Sequence, residues 1–450
     1  MNLKYGGFIL FALQCICTMA SGQKIIDSYI RIGLDSNLAL QQKYFNLQNA
    51  RLELKKAQAM AYPHVEFTSE YNRASGGRSE EIPIGDLLND VNATLNRLTT
   101  SNKFPLLQNQ TLNFIPDNFH DSRVELSVPL INREIRINKQ IKKELIHTQD
   151  ADIEMYKRDL VYDVRRACYR YAQSCKAVSI YSNAMSAVEE NLRISERQVK
   201  NSIATREVVL RSASQVSLVL SQLTEAVSNR DNAAAWLNFL INRPLNTPVL
   251  IDSLPNELSY AAQVNNATFS IAPVYLSKLE SAKEVLRLGV RSSRAYSYPK
   301  LAAYYHTGFQ GFGFNLFDKQ FYQLGGLQLK LNIFQGYYNK HAVQQSTTLL
   351  ASIEVQLDEL TKRLNLQATT AFHEYQAAVQ KLQHLNQVVQ STQETYRYVE
   401  LRYQQGQALQ LELIDARTKM TNAKIDYSLG QLTILYKAAE LEMITNSFKL

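Results

Sequence analysis

Apolar residues recur along this chain at alternating steps of three and four, twice, in one register. The first seam reads Ile153, Tyr156, Leu160, Val164, Ala167, Tyr171, Ser174, Val178, Tyr181, Met185, Val188, Leu192, Ser195, Val199. The second starts at Leu350 and Ile353. It continues Leu357, Leu360, Leu364, Ala368, Ala371, Tyr375, Ala378, Leu382, Leu385, Val389, Thr392, Tyr396, Val399, Tyr403. From Leu357 onward every member lies 204 residues after a member of the first seam. Steps averaging 3.5 residues are the period of a coiled-coil seam. A register held this long marks a duplicated module.

Helix breakers are missing where the seams run. No Pro or Gly occurs between Leu130 and Arg243, and after Tyr337 only Gly406 and Gly430 interrupt the chain. Two helices of roughly 70 residues, each about 105 Å long, are predicted over 131–200 and 336–405. Shorter returning helices are predicted over 205–242 and 410–449, and helices over 23–61 and about 266–298 precede the strands. A returning helix stacked end to end on a pre-strand helix would match one long helix. A hollow helical cylinder about 100 Å long follows from that rise per residue.

Between the helices the period changes to two. Strands are predicted over 64–72 and 123–131, and again over 300–309 and 321–334. Val124, Leu126, Val128 and Leu130 alternate with polar positions, as do Leu327, Leu329, Leu331 and Ile333. One apolar and one polar face suit a barrel strand with lipid outside and water within. Tyr298, Tyr304, Tyr305, Phe309, Phe312, Phe314, Phe317, Phe321 and Tyr322 crowd the second pair, as interfacial girdles do. A soluble four-stranded sheet under helices remains the alternative. Four strands cannot close a barrel, and open edges are not viable in lipid, so several chains must contribute. The strand pairs repeat at 236, not 204 (Pro63 with Pro299, Asn37 with Pro273). The extra 32 residues fall in segment 75–120, a Pro/Gly-punctuated stretch without helical period, expected on the external side.

The N-terminus carries Lys4, an apolar stretch from Phe8 to Met19, then Ala20-Ser21-Gly22, which suits a signal peptide over 1–22. Cys168 and Cys175 lie seven apart on one predicted helix, beyond disulfide reach, and read as buried free thiols. The net charge is +8, but the basic pairs are isolated among acids, so nucleic acid is not an expected partner. The seven histidines form no metal motif, and neither a phosphate loop nor a nucleophile elbow is present. No catalytic residue, cofactor or metal is expected, and Trp236 reads as a packing residue of the first returning helix.

The chain resembles the TolC family of outer-membrane efflux and export channels. The likeness is carried by Ala59-Met60-Ala61-Tyr62-Pro63 and its echo at 292–299. It extends to the strand-to-helix passages Val128-Pro129-Leu130-Ile131 and 331–336, and to the tip Arg402-Tyr403-Gln404-Gln405-Gly406 followed by 411–417. The first half departs at its tip, where Ser202 replaces the glycine, and at Arg211, where Asp415 has its twin. It departs again at Ile241-Asn242-Arg243-Pro244, where the family commonly has glycine. The resemblance implies a mainly α fold with four transmembrane strands per chain. A homotrimer would then form a twelve-stranded barrel continuous with a helical periplasmic tunnel. It implies repeats over 23–255 and 256–450, with hairpins at 131–242 and 336–449. Implied partners are outer-membrane lipid, a periplasmic membrane-fusion adaptor and an inner-membrane pump of the RND or ABC type. The expected role is a passive duct for efflux or type I secretion, and a soluble periplasmic coiled-coil adaptor is the alternative. Glu400, Tyr403, Glu412 and Asp415 would form the periplasmic aperture. Asn201, Ser202, Thr205, Arg206, Gln405, Gly406 and Gln407 would form the adaptor-docking tips.

Overall fold

The structure is a computed structural model that describes residues 24–115, 117–251, 271–313 and 320–445. The expected signal peptide, the start of the helix expected over 266–298, and Phe314 and Phe317 lie outside the described residues. In chain order the elements are α1 (24–36), α2 (Leu38–Ala59), β1 (His64–Asn72), β2 (Ser79–Ile82), α3 (Ile84–Thr99), β3 (Gln110–Asn113) and β4 (Phe119–Ile131). There follow α4 (Arg133–Lys200), α5 (Arg206–Leu240), α6 (Val274–Ala295), β5 (Lys300–Phe312), β6 (Phe321–Lys330), α7 (Tyr338–Gln404) and α8 (Gln410–Ile444). Two compact units result: one of 52–142 and 287–347, the other of the remaining segments.

The second of these is helical, and its lengths come in pairs. α4 has 68 residues and α7 has 67; α5 and α8 have 35 each; α2 and α6 have 22 each. Where α5 ends, α2 begins: Asn37 Nδ2 donates to Leu240 O at 2.9 Å, while its Oδ1 caps Leu40 N–H at 2.9 Å. The second half repeats the junction, with Ala272 N–H donating to Ile444 O at 3.0 Å just ahead of α6. Asn242, at φ 52°, takes the left-handed position closing α5 that a glycine would commonly hold, a place Asn tolerates. The main core gathers Leu160, Val164 and Cys168 of α4 with Leu40 of α2, Leu237 of α5 and Leu435 of α8. Asp152 of α4 is buried and accepts both Lys43 and Lys278 at 2.5 Å, tying α2 and α6 to one carboxylate. Burial alone would raise its pKa, but the two ammonium groups hold it below the usual carboxylate range.

The other unit contains the antiparallel sheet, in the order β1-β4-β5-β6, so β1 and β6 are its unpaired edges among the described residues. Register places Val65, Leu126 and Tyr305 in one row and Phe67, Val124 and Thr307 in the next, on one face. The opposite face carries Glu66, Glu125 and His306, then Thr68, Arg123 and Gly308. Arg123 pairs with both Asp121 and Glu125 there. The apolar face is the bare one: Val65, Phe67, Leu327 and Leu329 are 63, 69, 68 and 68% exposed. Gly308 is obligatory, because a Cβ there would sit 2.2 Å from Ser122 O on β4.

Four expectations need correction. β4 begins at Phe119 and β5 runs to Phe312, while 331–334 is not strand. β5 pairs from Lys300, opposite Lys330, and Pro299 before it has no N–H to offer a longer β6. Segment 75–120 is not devoid of helix: it folds as the β2–β3 hairpin around the helix α3. An asparagine row holds this helix to the returning chain. Asn89 exchanges two bonds with Leu107 (2.9 and 2.7 Å), Asn92 donates to Pro105 O at 2.9 Å, and Asn96 exchanges two with Phe104 (2.6 and 3.0 Å). The covered face is polar, while the apolar stripe that Leu87, Leu88, Val91, Leu95 and Leu98 form at helical spacing is largely exposed, so the period was present in the sequence although it is not the face that packs. Trp236 is also not packed inside; it is half exposed and stacks on Phe239 at 5.5 Å. Cys168 is buried, which pushes its thiol up to about 12, while Cys175 is only half-buried.

Candidate functional site: the hairpin tips

Both long helices end in the same turn. At the second tip Gly406 has φ 74°, its N–H bonds Tyr403 O at 3.0 Å, and Gln407 N–H bonds Arg402 O at 2.8 Å. At the first, Ser202 has φ 58°, its N–H bonds Val199 O at 3.0 Å, and Ile203 N–H bonds Gln198 O at 2.8 Å. This is a Schellman closure at positions 204 apart. Ser202 adopts the left-handed conformation without being glycine, so the first tip stores strain that Gly406 avoids. Asn201, Ser202, Thr205, Arg206, Gln405, Gly406 and Gln407 are all exposed. Ile203 and Leu409 stand exposed among them, apolar knobs that the motif comparison passed over.

The four expected aperture residues lie on the two helices leaving the second tip, and the three acids among them are already engaged. Glu412 accepts Leu409 N–H at 3.2 Å, capping the start of α8, and faces Arg402 at 3.6 Å. Arg402 also donates to Gln407 O at 3.0 Å. Asp415 pairs with Lys419 at 2.8 Å, and both are exposed. Arg211, the twin of Asp415, pairs with Glu207. Glu400 accepts the Tyr396 hydroxyl at 2.6 Å, and burial, then this carboxylate, push the Tyr396 phenol above its ordinary range. The Tyr403 hydroxyl is buried without a partner.

A buried polar cluster joins the two hairpins behind the tips. Ser195 and Ser212 share a bond of 2.9 Å across the first hairpin, and Gln410 Nε2 reaches Ser212 Oγ and Val208 O (3.1 Å) from the second. Apolar periodicity could not find this cluster, since Ser195 entered it only as a weak seam member.

Residues 276–447 match the family model described as outer membrane efflux protein. They form a domain similar to outer membrane efflux proteins. This domain contains nearly all of α6, then β5, β6, α7, α8 and the second tip, whereas the first tip lies outside the matched segment. No curated protein matches the chain. Among solved structures it is similar to the Campylobacter jejuni CmeC outer membrane channel at 12% identity, covering 94% of this chain and 87% of that one, TM-score 0.73. A membrane protein from Pseudomonas aeruginosa matches at 14% identity, with 93 and 92% covered and TM-score 0.71. Vibrio cholerae VceC matches at 13%, with 93 and 96% covered and TM-score 0.71. At such identity the likeness is one of fold, and it spans both the efflux-protein domain and the repeat before it. The chain has the TolC-like fold: mainly long helices with a small four-stranded antiparallel sheet.

Proposed function

We propose that the protein is the outer-membrane exit duct of a tripartite efflux or type I secretion system. Three copies pair β6 of one with β1 of the next and so close a twelve-stranded barrel. The observation carrying this is the sheet, whose apolar face is the exposed one and whose two edges lack partners. In water that arrangement costs hydrophobic free energy and open hydrogen bonds; in lipid, closed by symmetry, it costs neither. The helical part then extends as a periplasmic tunnel, and segment 75–120 lies outside the cell. The duct is passive, with energy supplied by an inner-membrane pump through an adaptor docked on the two tips.

In this reading Glu412 and Asp415 gather as six carboxylates around the threefold axis, with Glu400 and Tyr403 behind them. Arg402 and Lys419 offset part of their charge, so the ring is less repulsive than bare acids would be. Cell fractionation and native sizing test the assignment: the duct predicts an outer-membrane trimer, and release with soluble periplasm would favour the adaptor reading instead. In planar bilayers, Glu412→Gln with Asp415→Asn should weaken cation selectivity and multivalent-cation block at unchanged trimer yield. Unchanged selectivity would place these acids outside the duct.

A further inference from the structure

Behind the second tip, a cavity of about 130 Å³ lies between α4, α7 and α8. Its wall includes Arg417, Thr421 and Lys424 of α8, Tyr396 of α7 and Asn183 of α4. Arg417, Thr421 and Lys424 are spaced i, i+4, i+7, on one helix face. Ala184 and Ala187 of α4 leave the space that larger side chains would fill. Arg417 is only 5% exposed, and its Nε and Nη1 have no hydrogen-bond partner. Its remaining contacts are with Tyr396, whose hydroxyl accepts Nη2 at 3.5 Å and whose ring lies 5.6 Å away. Glu400 is linked to Arg417 only through the Tyr396 hydroxyl, and no carboxylate lines the cavity. A buried guanidinium with idle donors and no directly paired carboxylate is strongly unfavourable unless something negative joins it. Helix packing does not require the arginine either, since the repeat-equivalent of Arg417 is Ala213 and that of Lys424 is Leu220.

We propose that this cavity is an anion site, sized for a small oxyanion of the phosphate or sulfate class. Arg417 supplies the charge and a pair of N–H donors, and Lys424, Asn183 and Thr421 supply further donors. The bound anion bridges α4 of the first hairpin to α7 and α8 of the second, stiffening the walls behind the tips. A carboxylate from a second copy of the chain has the same chemistry, and the test separates the two sources.

Hydrogen exchange is followed on the purified full-length protein, in sodium phosphate or sodium sulfate against sodium chloride of equal ionic strength. Free oxyanion predicts slower exchange over 180–187 and 413–424 that saturates with phosphate, is lost in Arg417→Met, and is partly kept in Arg417→Lys. Lys424→Met should shift the phosphate midpoint upward several-fold. Absence of a phosphate response in the wild type overturns the proposal. An Arg417→Met variant that dissociates the oligomer, with no phosphate response in either protein, overturns it in favour of a neighbour's carboxylate. Equal protection in wild type and Arg417→Met also overturns it, since the anion would then act elsewhere. Fractionation of the wild type tests the duct reading separately, and neither result decides the other.

Discussion

α4 and α7 have nearly the same length and carry the same apolar seam, yet they are buried very differently. α7 buries one stripe, Leu364, Ala368, Ala371, Tyr375 and Ala378, the last three packed against Ile434, Ala438 and Leu441 of α8. α4 buries its seam and more: Leu160 with Val161, and Ala167 with Cys168 and Tyr169. Consecutive residues on a helix point about 100° apart, so burying such runs requires neighbours on more than one side. α4 has them, with α2 and α5 in the shared core and α8 reached through the Arg165–Glu442 pair at 2.7 Å. α7 instead leaves Leu349, Val355, Leu366, Tyr398 and Leu401 exposed. A seam therefore specifies one partner and is silent about the others. In the proposed trimer, a neighbouring copy covers the outer face of α7.

The largest effect should come from truncation in the two helices. Leu160→Ala, inside the α4 core, should cost about 3 kcal/mol, whereas Leu366→Ala on the bare face of α7 should change the single chain by less than about 0.5 kcal/mol. Denaturant unfolding followed by helical circular dichroism measures both. A matching loss at Leu366 in the dissociated chain would erase the distinction, and a loss confined to the oligomer would sharpen it.

The tips offer a smaller contrast. Gly406→Val should cost roughly 1–2 kcal/mol, because a β-branched residue is forced to φ near 74°. Ser202→Gly should stabilise the first tip by up to about 1 kcal/mol by releasing the same strain. Local exchange of the tip amides reads each change, and opposite signs are required.

Gln410→Ala removes the side chain that ties the second hairpin to Ser212 and Val208 of the first. A loss of about 1 kcal/mol is expected, together with faster exchange around 191–212. Ser212→Ala should lose much less once Gln410 is absent, and additive losses in this double-mutant cycle would show that the two residues are not coupled.

A further difference concerns pH. Asp159 of α4 has its carboxyl raised to about 6, by burial first and then by Asp163, against a partial opposing pull from Lys43. Its twin on α7, Arg363, is exposed and paired with Glu359 at 2.7 Å. The folded protein therefore holds the Asp159 proton that an unfolded carboxyl releases at about 4. That contribution is complete below about pH 4 and is lost as pH climbs from about 4 to 6. Asp159→Asn should remove this decline, roughly 2–3 kcal/mol, in unfolding series run from acid to neutral pH. An unchanged slope would mean that water reaches the carboxylate.

Much of this fold was legible along the chain because it is written in local period. The 3.5-residue seam, the missing breakers and the two-residue alternation predicted α4, α7, β1 and most of β4 within a few residues. The second tip was also legible, since Gly406 is the kind of residue a left-handed closure favours. The first was harder to read: Ser202 and Asn242 hold left-handed positions that their identities permit without announcing. The helix α3 was legible too, in Leu87, Leu88, Val91, Leu95 and Leu98 at helical spacing, but its attachment to residues 104–107 through asparagine side chains was not. The second buried stripe of α4, the Asp152 clamp, the Ser195–Ser212–Gln410 cluster and the cavity around Arg417 depend on partners about 20 to 290 residues away. No local pattern encodes which distant helix will lie alongside, so burial, pairing and unpaired charge at those positions emerge only when the hairpins pack together.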